Sequence, residues 1–317
     1  MSKTIKVRWA FNPFSNHKES KLRDLEFIKL LKTQRSAEII PTYVLGSEHT
    51  EWVGYVAKNQ GADAQNAVLK ACYDKLEELG AENIVGAPEI ILSDALSIRS
   101  DATTFALKCE DSDFVIVNTH SRSRVKDLLL GSFAESYLFK SKVPTIYIPP
   151  CEKSINKLDK VLYPTDLTVS SRVVFDQFLS KEFNIAKEIK LYSNVVHPVS
   201  AFVSGSSLMF GGGLISFDEY VNQDKEDRIN EAREWVGIAT SKGFISDFSV
   251  EEGPVPIADS IISFANGTEC DAIAMSSFSS NLDSVFVGST SREVLRKAKK
   301  PVIIWHTSRD DSKVTLD

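Results

Sequence analysis

A glycine-serine pair that occurs twice, each time in the same surroundings, constrains the fold more than any other feature of this sequence. Gly131–Ser132 and Gly288–Ser289 each follow an apolar run and precede a short amphipathic segment that ends in a strand led by proline. Thirteen positions separate each glycine from that proline, which is Pro144 in the first copy and Pro301 in the second. The repeated spacing predicts that one structural unit is duplicated in the chain.

The length of 317 residues fits two domains of ordinary size, and a hydrophobic content of 43% allows each to have a core. Two consecutive prolines at 149–150 end the first unit, and the polar stretch 151–158 is typical of a linker. We therefore expect two domains of one family, at residues 1–152 and 153–317.

Charge and hydropathy exclude several classes of partner. The formal net charge is −6, whereas a protein that binds nucleic acid needs an excess of lysine and arginine on one face. No stretch approaches eighteen continuous apolar residues, and the N-terminal residues lack the apolar run of a signal peptide, so we expect a cytoplasmic protein with no membrane partner. The four cysteines are scattered, which predicts neither a metal site nor a redox pair.

Apolar runs and amphipathic stretches alternate along both halves. The predicted strands are 5–11, 38–45, 88–92, 114–117 and 145–148 in the first half, and 161–163, 189–196, 248–250, 271–275 and 302–305 in the second. Alternation of strand and helix predicts an α/β fold, built as two tandem doubly wound parallel five-stranded sheets with flavodoxin-like layering. The glycine-rich segment 204–213 is expected to be a loop, with a lid over the second site as the alternative.

The first predicted strand is a partial misfit to this fold. Its apolar residues alternate with Lys6, Arg8 and Ala10, which is the pattern of a strand with one face toward solvent. A central strand of a parallel sheet is normally apolar on both faces. The pattern therefore favours a half-exposed position for residues 5–11.

The position of a ligand follows from the predicted topology. In doubly wound sheets, ligands bind at the carboxyl ends of the strands where the strand order reverses. The loops that meet at this edge are Asn12 with 118–132 in the first half, and Asp166 with 276–290 in the second.

The loops after the fourth strands carry a resemblance to a known family. NTHSRSRVKDLLLGS at 118–132 and MSSFSSNLDSVFVGS at 275–289 resemble the nucleotide loop of universal stress proteins, whose pattern is G-x2-G-x9-G-S/T before a helix and a proline-led strand. VLYPTDLTVSS at 161–171 resembles the first strand and acidic exit loop of that family. The resemblance extends over nearly the whole chain as two fused units and implies an adenine nucleotide alpha hydrolase-like fold.

This resemblance implies a pocket for ATP or AMP, without a metal ligand set. It places cofactor contacts in the second half at Asp166, Gly288, Ser289 and Thr290. Glycine lets the backbone approach phosphate groups closely, and the start of a helix supplies free N–H groups and positive potential.

The corresponding candidates in the first half are Asn12, Ser121, Gly131 and Ser132. Asn12 stands where the family has aspartate, and Asn118 and Ser121 stand where it has the two earlier glycines. Those two glycines are absent from the second half as well.

Local structure offers another explanation for the same residues. Ser132 with Glu135, and Thr290 with Glu293, match the S/T-x-x-E capping box, in which the hydroxyl caps the start of a helix. Asp166 can likewise serve as an acceptor within its own loop. Capping without any ligand is therefore an open alternative to phosphate contact.

We expect a stress-linked regulatory or protective binding protein, because no catalytic motif is present and no catalytic residue is nominated. Two alternatives stay open: a ligand-free interaction scaffold whose halves pack as an internal pseudo-dimer, and, by family analogy, a slow ATPase. Members of the family pair through the last strand, so 145–148 and 302–305 meet either within one chain or between chains in a homodimer. The sequence identifies no protein partner.

Overall fold

A computed structural model describes residues 3–46, 62–93, 97–119, 130–150, 154–180, 185–196, 208–210, 213–215, 217–253, 256–277 and 288–306. The first half contains strands β1 (Ile5–Ala10), β2 (Ala37–Leu45), β3 (Glu89–Leu92), β4 (Phe114–Asn118) and β5 (Thr145–Ile148), and helices α1 (Lys18–Gln34), α2 (Ala62–Glu78), α3 (Ile98–Cys109) and α4 (Ser132–Leu138). The second half contains strands β6 (Lys160–Pro164), β7 (Glu188–Val196), β8 (Leu208–Phe210), β9 (Gly213–Ile215), β10 (Ile245–Gly253), β11 (Ala272–Ser276) and β12 (Val302–Trp305), and helices α5 (Val169–Phe178), α6 (Phe217–Ser241), α7 (Ile257–Gly267) and α8 (Ser289–Lys297).

Ten of these strands form one sheet with the order β10-β7-β6-β11-β12-β5-β4-β1-β2-β3. Neighbouring strands are parallel except at the centre, where β12 and β5 run antiparallel. The predicted α/β fold with doubly wound parallel halves is confirmed. The sequence left open where the two last strands pair, and in the structure they pair with each other within the chain.

The centre of the sheet relates equivalent positions of the two halves. Ile146 of β5 lies opposite Ile303 of β12, and 157 positions separate them, as they separate Gly131 from Gly288. Glu135 of α4 and Arg292 of α8 have the same separation, and they form an ion pair of 2.8 Å above the sheet. The strand order also reads alike from either edge.

Helices cover both faces of the sheet, which explains why its strands are apolar. One hydrophobic cluster joins the sheet to α1, α2, α5 and α6, and the other joins it to α3, α4, α7 and α8. All four residues of β5 and of β12 are buried. None of the described helices combines the length and apolar character needed to span a membrane.

The prediction that the first strand is half exposed is wrong. β1 lies between β4 and β2, and Arg8 is only 1% exposed. Its guanidinium donates to Asp111 at 2.5 Å and to Glu89 at 3.0 Å, so its charge is paired. A buried arginine is tolerated when opposite charges match its own.

The prediction of a loop at 204–213 is also wrong for the residues that the structure describes there. Leu208–Phe210 and Gly213–Ile215 form an antiparallel two-stranded ribbon that is separate from the main sheet. Helix α6 starts at Phe217, about two turns before the expected start at 224. The extension places Asp224 in the interior of the helix instead of at its first residue.

The ion pair between the halves should stabilise the fold. Changing Glu135→Arg places a third cation beside Arg292 and Arg296, both of which now donate to the Glu135 carboxylate. We expect the free energy of unfolding to fall by about 1 kcal/mol, since the side chains are only partly buried. Adding Arg292→Glu should restore much of that loss, as measured by urea unfolding in a double-mutant cycle.

The matched control is Glu110→Arg, which breaks an exposed pair with Lys142 away from the junction. Its effect should be close to zero. Equal losses for Glu135→Arg and Glu110→Arg, or no rescue by Arg292→Glu, would contradict the proposed role of the Glu135 pair.

Candidate functional site

A cavity of about 590 Å³ lies at the carboxyl ends of β6, β7 and β11, against the first turn of α8. β6 pairs with β7 on one side and β11 on the other, so the strand order reverses at this point. The cavity is lined by all four residues predicted in the second half, Asp166, Gly288, Ser289 and Thr290.

One of the two carboxylate oxygens of Asp166 is hydrogen-bonded within its own loop. Its Oδ1 atom accepts hydrogen bonds from the Thr168 backbone N–H at 3.2 Å, from Thr168 Oγ1 at 2.9 Å and from Ser171 Oγ at 2.5 Å. Within the described residues, Oδ2 has no hydrogen bond, and the side chain is exposed at the cavity. One oxygen therefore fixes the loop, and the other can accept a bond from a ligand.

Leu167, directly after Asp166, holds the exit loop in an uncommon conformation. Its φ of 60° lies in the left-handed region, which costs a residue with a Cβ about 1–2 kcal/mol. The side chain belongs to the hydrophobic core, and its N–H donates to Thr165 Oγ1 at 3.0 Å. Burial and this bond together hold the turn that presents Asp166 to the cavity.

Helix α8 begins at Ser289 with Gly288 as its N-cap, and no side chain caps it. The predicted capping box of Thr290 and Glu293 is therefore wrong, and Glu293 pairs with Arg296 instead. The backbone N–H groups in the first turn of a helix have no intrahelical partner. Ser289 and Thr290 are in this turn and line the cavity, so their N–H groups can donate hydrogen bonds to a ligand there. Ser291 fixes the helix to the sheet by donating to the Ser276 carbonyl oxygen at 3.2 Å.

The wall formed by β7 contributes a chain of polar groups. Asn194 Nδ2 donates to Tyr192 Oη at 3.2 Å, and that hydroxyl donates to Glu251 Oε2 at 3.1 Å. Burial raises the pKa of Tyr192, so the hydroxyl stays protonated near neutral pH. Tyr192 and Asn194 both line the cavity, and sequence reasoning missed them.

Two further residues that the sequence did not single out come from α6. Asp224 and Arg228 line the cavity and form an ion pair of 3.0 Å at i,i+4 spacing. Arg228 Nη1 also donates to Ser193 Oγ at 3.0 Å and to the Asp166 carbonyl oxygen at 3.5 Å. The spacing of an acid and a base four apart was visible in the sequence, but no pattern showed that this face of the helix meets the pocket.

The candidates of the first half do not share one such cavity. Asn12 Oδ1 accepts from the Phe14 backbone N–H at 2.9 Å, which makes it a turn residue. Gly131 is buried, and its N–H donates to the Thr119 carbonyl oxygen at 3.3 Å. Ser132 is the first residue of α4 and caps nothing, so the capping box is wrong here as well. Ser121 lies outside the described residues.

Ser132 instead lines a second cavity of about 540 Å³ between the halves. The other lining residues belong to three helices. Arg99 is on α3, Glu135 and Ser136 are on α4, Phe139 and Lys140 follow the end of α4, and Arg292 is on α8. Asn12 lines neither of the two cavities.

A buried polar cluster lies beside the exit of β1 in the first half. Asp24 of α1 accepts from Trp9 Nε1 at 2.9 Å and from Asn118 Nδ2 at 3.1 Å, and burial raises its pKa to about 7. Lys21 donates to the Ser15 carbonyl oxygen at 2.6 Å, and burial lowers its pKa to about 8. Asn118, at the position of a family glycine, is thus bonded to the protein itself.

Comparisons with known proteins identify a family for the second half and a fold for the whole chain. Residues 157–306 match the universal stress protein family. The match begins just before β6, ends just after β12 and includes every second-half residue of the cavity at the switch point.

Solved structures extend the likeness in fold to both halves. A universal stress protein from Archaeoglobus fulgidus DSM 4304 superposes with a TM-score of 0.61 at 19% identity, over 96% of this chain and 97% of that chain. A functionally unknown protein from Pseudomonas aeruginosa PAO1 gives a TM-score of 0.60 at 12% identity, over 98% of this chain and 95% of that chain. No curated protein sequence matches the chain significantly.

The buried Asp24 carboxyl should make the free energy of unfolding depend on pH. Its pKa is higher in the folded protein than the ordinary value of 3.8, so the stability it contributes is complete below about pH 4 and is lost as the pH rises through 7. Relative to Asp24→Asn, the wild type should lose roughly 3 to 4 kcal/mol of unfolding free energy between about pH 4 and 8.

Urea unfolding over that pH range measures the difference. The comparison with Asp24→Asn removes contributions from groups that do not interact with Asp24, whereas the pKa of Lys21, which faces Asp24 from the same helix, itself depends on the Asp24 charge. Asp74→Asn, an exposed carboxylate on α2, is the control and should leave the pH profile unchanged. A constant difference between wild type and Asp24→Asn would show that Asp24 titrates normally.

Proposed function

We propose that this chain is a cytoplasmic tandem universal stress protein, with domains at 1–152 and 153–317, that acts in a stress response by binding an adenine nucleotide in its second half. The observation that carries the proposal is the convergence of Asp166, Gly288, Ser289 and Thr290 on one cavity at the switch point of the sheet. An acceptor at one end and free helix N–H groups at the other suit a ligand with hydroxyls and a phosphate.

The two halves differ in what their polar groups are free to do. In the second half, Asp166 keeps one carboxylate oxygen without a hydrogen bond among the described residues, and Ser289 is exposed at the helix start. In the first half, the side-chain oxygen of Asn12 is bonded within its turn, and Asn118 is bonded to buried Asp24. We therefore assign nucleotide binding, ATP or AMP, to the second half alone.

A second role is supported for the first half. Asn12 and Asn118 are bonded within the protein, and its last strand, β5, pairs with β12. These features fit a scaffold domain that supports the binding half as one side of an internal pseudo-dimer.

Calorimetric titration of the full chain with AMP and with ATP tests the proposal. Asp166→Asn keeps an acceptor for Thr168 and Ser171 but removes the charge and the free carboxylate oxygen. We expect binding of AMP to the wild type, a rise in melting temperature with AMP concentration, and binding at least about tenfold weaker in the variant.

Asn12→Ala is the matched control at the equivalent position of the first half. It should leave the affinity unchanged. The proposal is overturned if neither nucleotide gives heat or thermal stabilisation, and the assignment to the second half is overturned if Asn12→Ala weakens binding as much as Asp166→Asn does.

A further inference from the structure

The charges around the second-half cavity limit the ligands it can take. Among its described lining residues, the ionised side chains are Asp166, Asp224 and Arg228, which leaves a net charge of −1.

Arg228, the one lysine or arginine among the described lining residues, is already engaged by the protein. Arg228 Nε donates to Asp224 Oδ2 at 3.0 Å, and Nη1 donates to Ser193 Oγ and to the carbonyl oxygen of Asp166. The guanidinium is thereby held in place, three-quarters buried, and most of its charge is balanced by Asp224. Among the described lining residues, no unpaired side-chain cation is therefore available to a polyanion.

From this charge distribution we infer that the cavity selects by phosphate number and takes a nucleoside monophosphate in preference to a triphosphate, with Asp224 as the residue that sets the limit. The inference rests on the proposed function and adds the class of nucleotide to it. Asp224 lies on α6 and lines the cavity, so the selectivity is a property of this helix.

The size of the effect follows from Coulomb's law. At neutral pH a triphosphate carries about two more negative charges than a monophosphate. With one net negative charge roughly 8 Å away, those two charges weaken binding about fivefold even at the dielectric constant of water, and more in a partly enclosed site. Free helix N–H groups still favour one phosphate over none.

The experiment is calorimetric titration of the full chain with adenosine, AMP and ATP in buffer free of divalent cations. We expect AMP to bind more tightly than adenosine, and ATP to bind at least about fivefold more weakly than AMP. Asp224→Asn keeps an acceptor for Arg228 Nε and removes one negative charge, so it should raise the affinity for ATP about fivefold relative to AMP.

Asp227→Asn is the matched control, because it makes the same change one residue before Arg228 on an exposed position outside the lining. It should leave all three affinities unchanged. Adenosine affinity reports whether each variant still folds around the site, because a neutral ligand does not sense the removed charge.

The outcomes separate the two proposals. Tighter or equal binding of ATP by the wild type overturns the selectivity and leaves nucleotide binding intact. An equal effect of Asp224→Asn on adenosine, AMP and ATP overturns the role of Asp224, since a charge effect must grow with ligand charge. Failure of all three compounds to bind overturns the proposed function itself.

Discussion

The antiparallel contact between β5 and β12 determines the architecture on which the site depends. Each of these strands would be the edge of a five-stranded sheet, with a row of unpaired N–H and C=O groups. All four residues of both strands are buried, so neither edge is left open to water. Pairing them makes one continuous sheet of ten strands and brings α4 against α8.

The alternating order of strands and helices was predictable, because buried parallel strands require continuous apolar runs such as Phe114–Asn118. The position of β1 was not. Its alternating pattern indicated one face toward solvent, whereas Arg8 is buried by pairing with Glu89 and Asp111. Those partners lie at least 81 positions away in the sequence, so no local pattern could show them.

The site was predictable to the extent that topology alone brings residues together. Asp166 and Gly288 lie at the exits of strands that a doubly wound sheet must place side by side, so their convergence followed from the strand order. Arg228 could not be found in this way, because its position depends on how α6 packs across β7. The capping-box pattern failed because a helix that starts one or two residues earlier leaves the same sequence uncapped.

The ion pair of Glu135 and Arg292 has a consequence for symmetry. In a dimer of identical units, a residue close to the twofold axis meets its own copy, so a charged side chain there would meet a like charge. Joining the two units in one polypeptide removes that restriction, since each side of the axis can then change independently. The pair of an acid in the first half with a base in the second is a contact that neither half could make with a copy of itself. This contact makes each half the specific partner of the other.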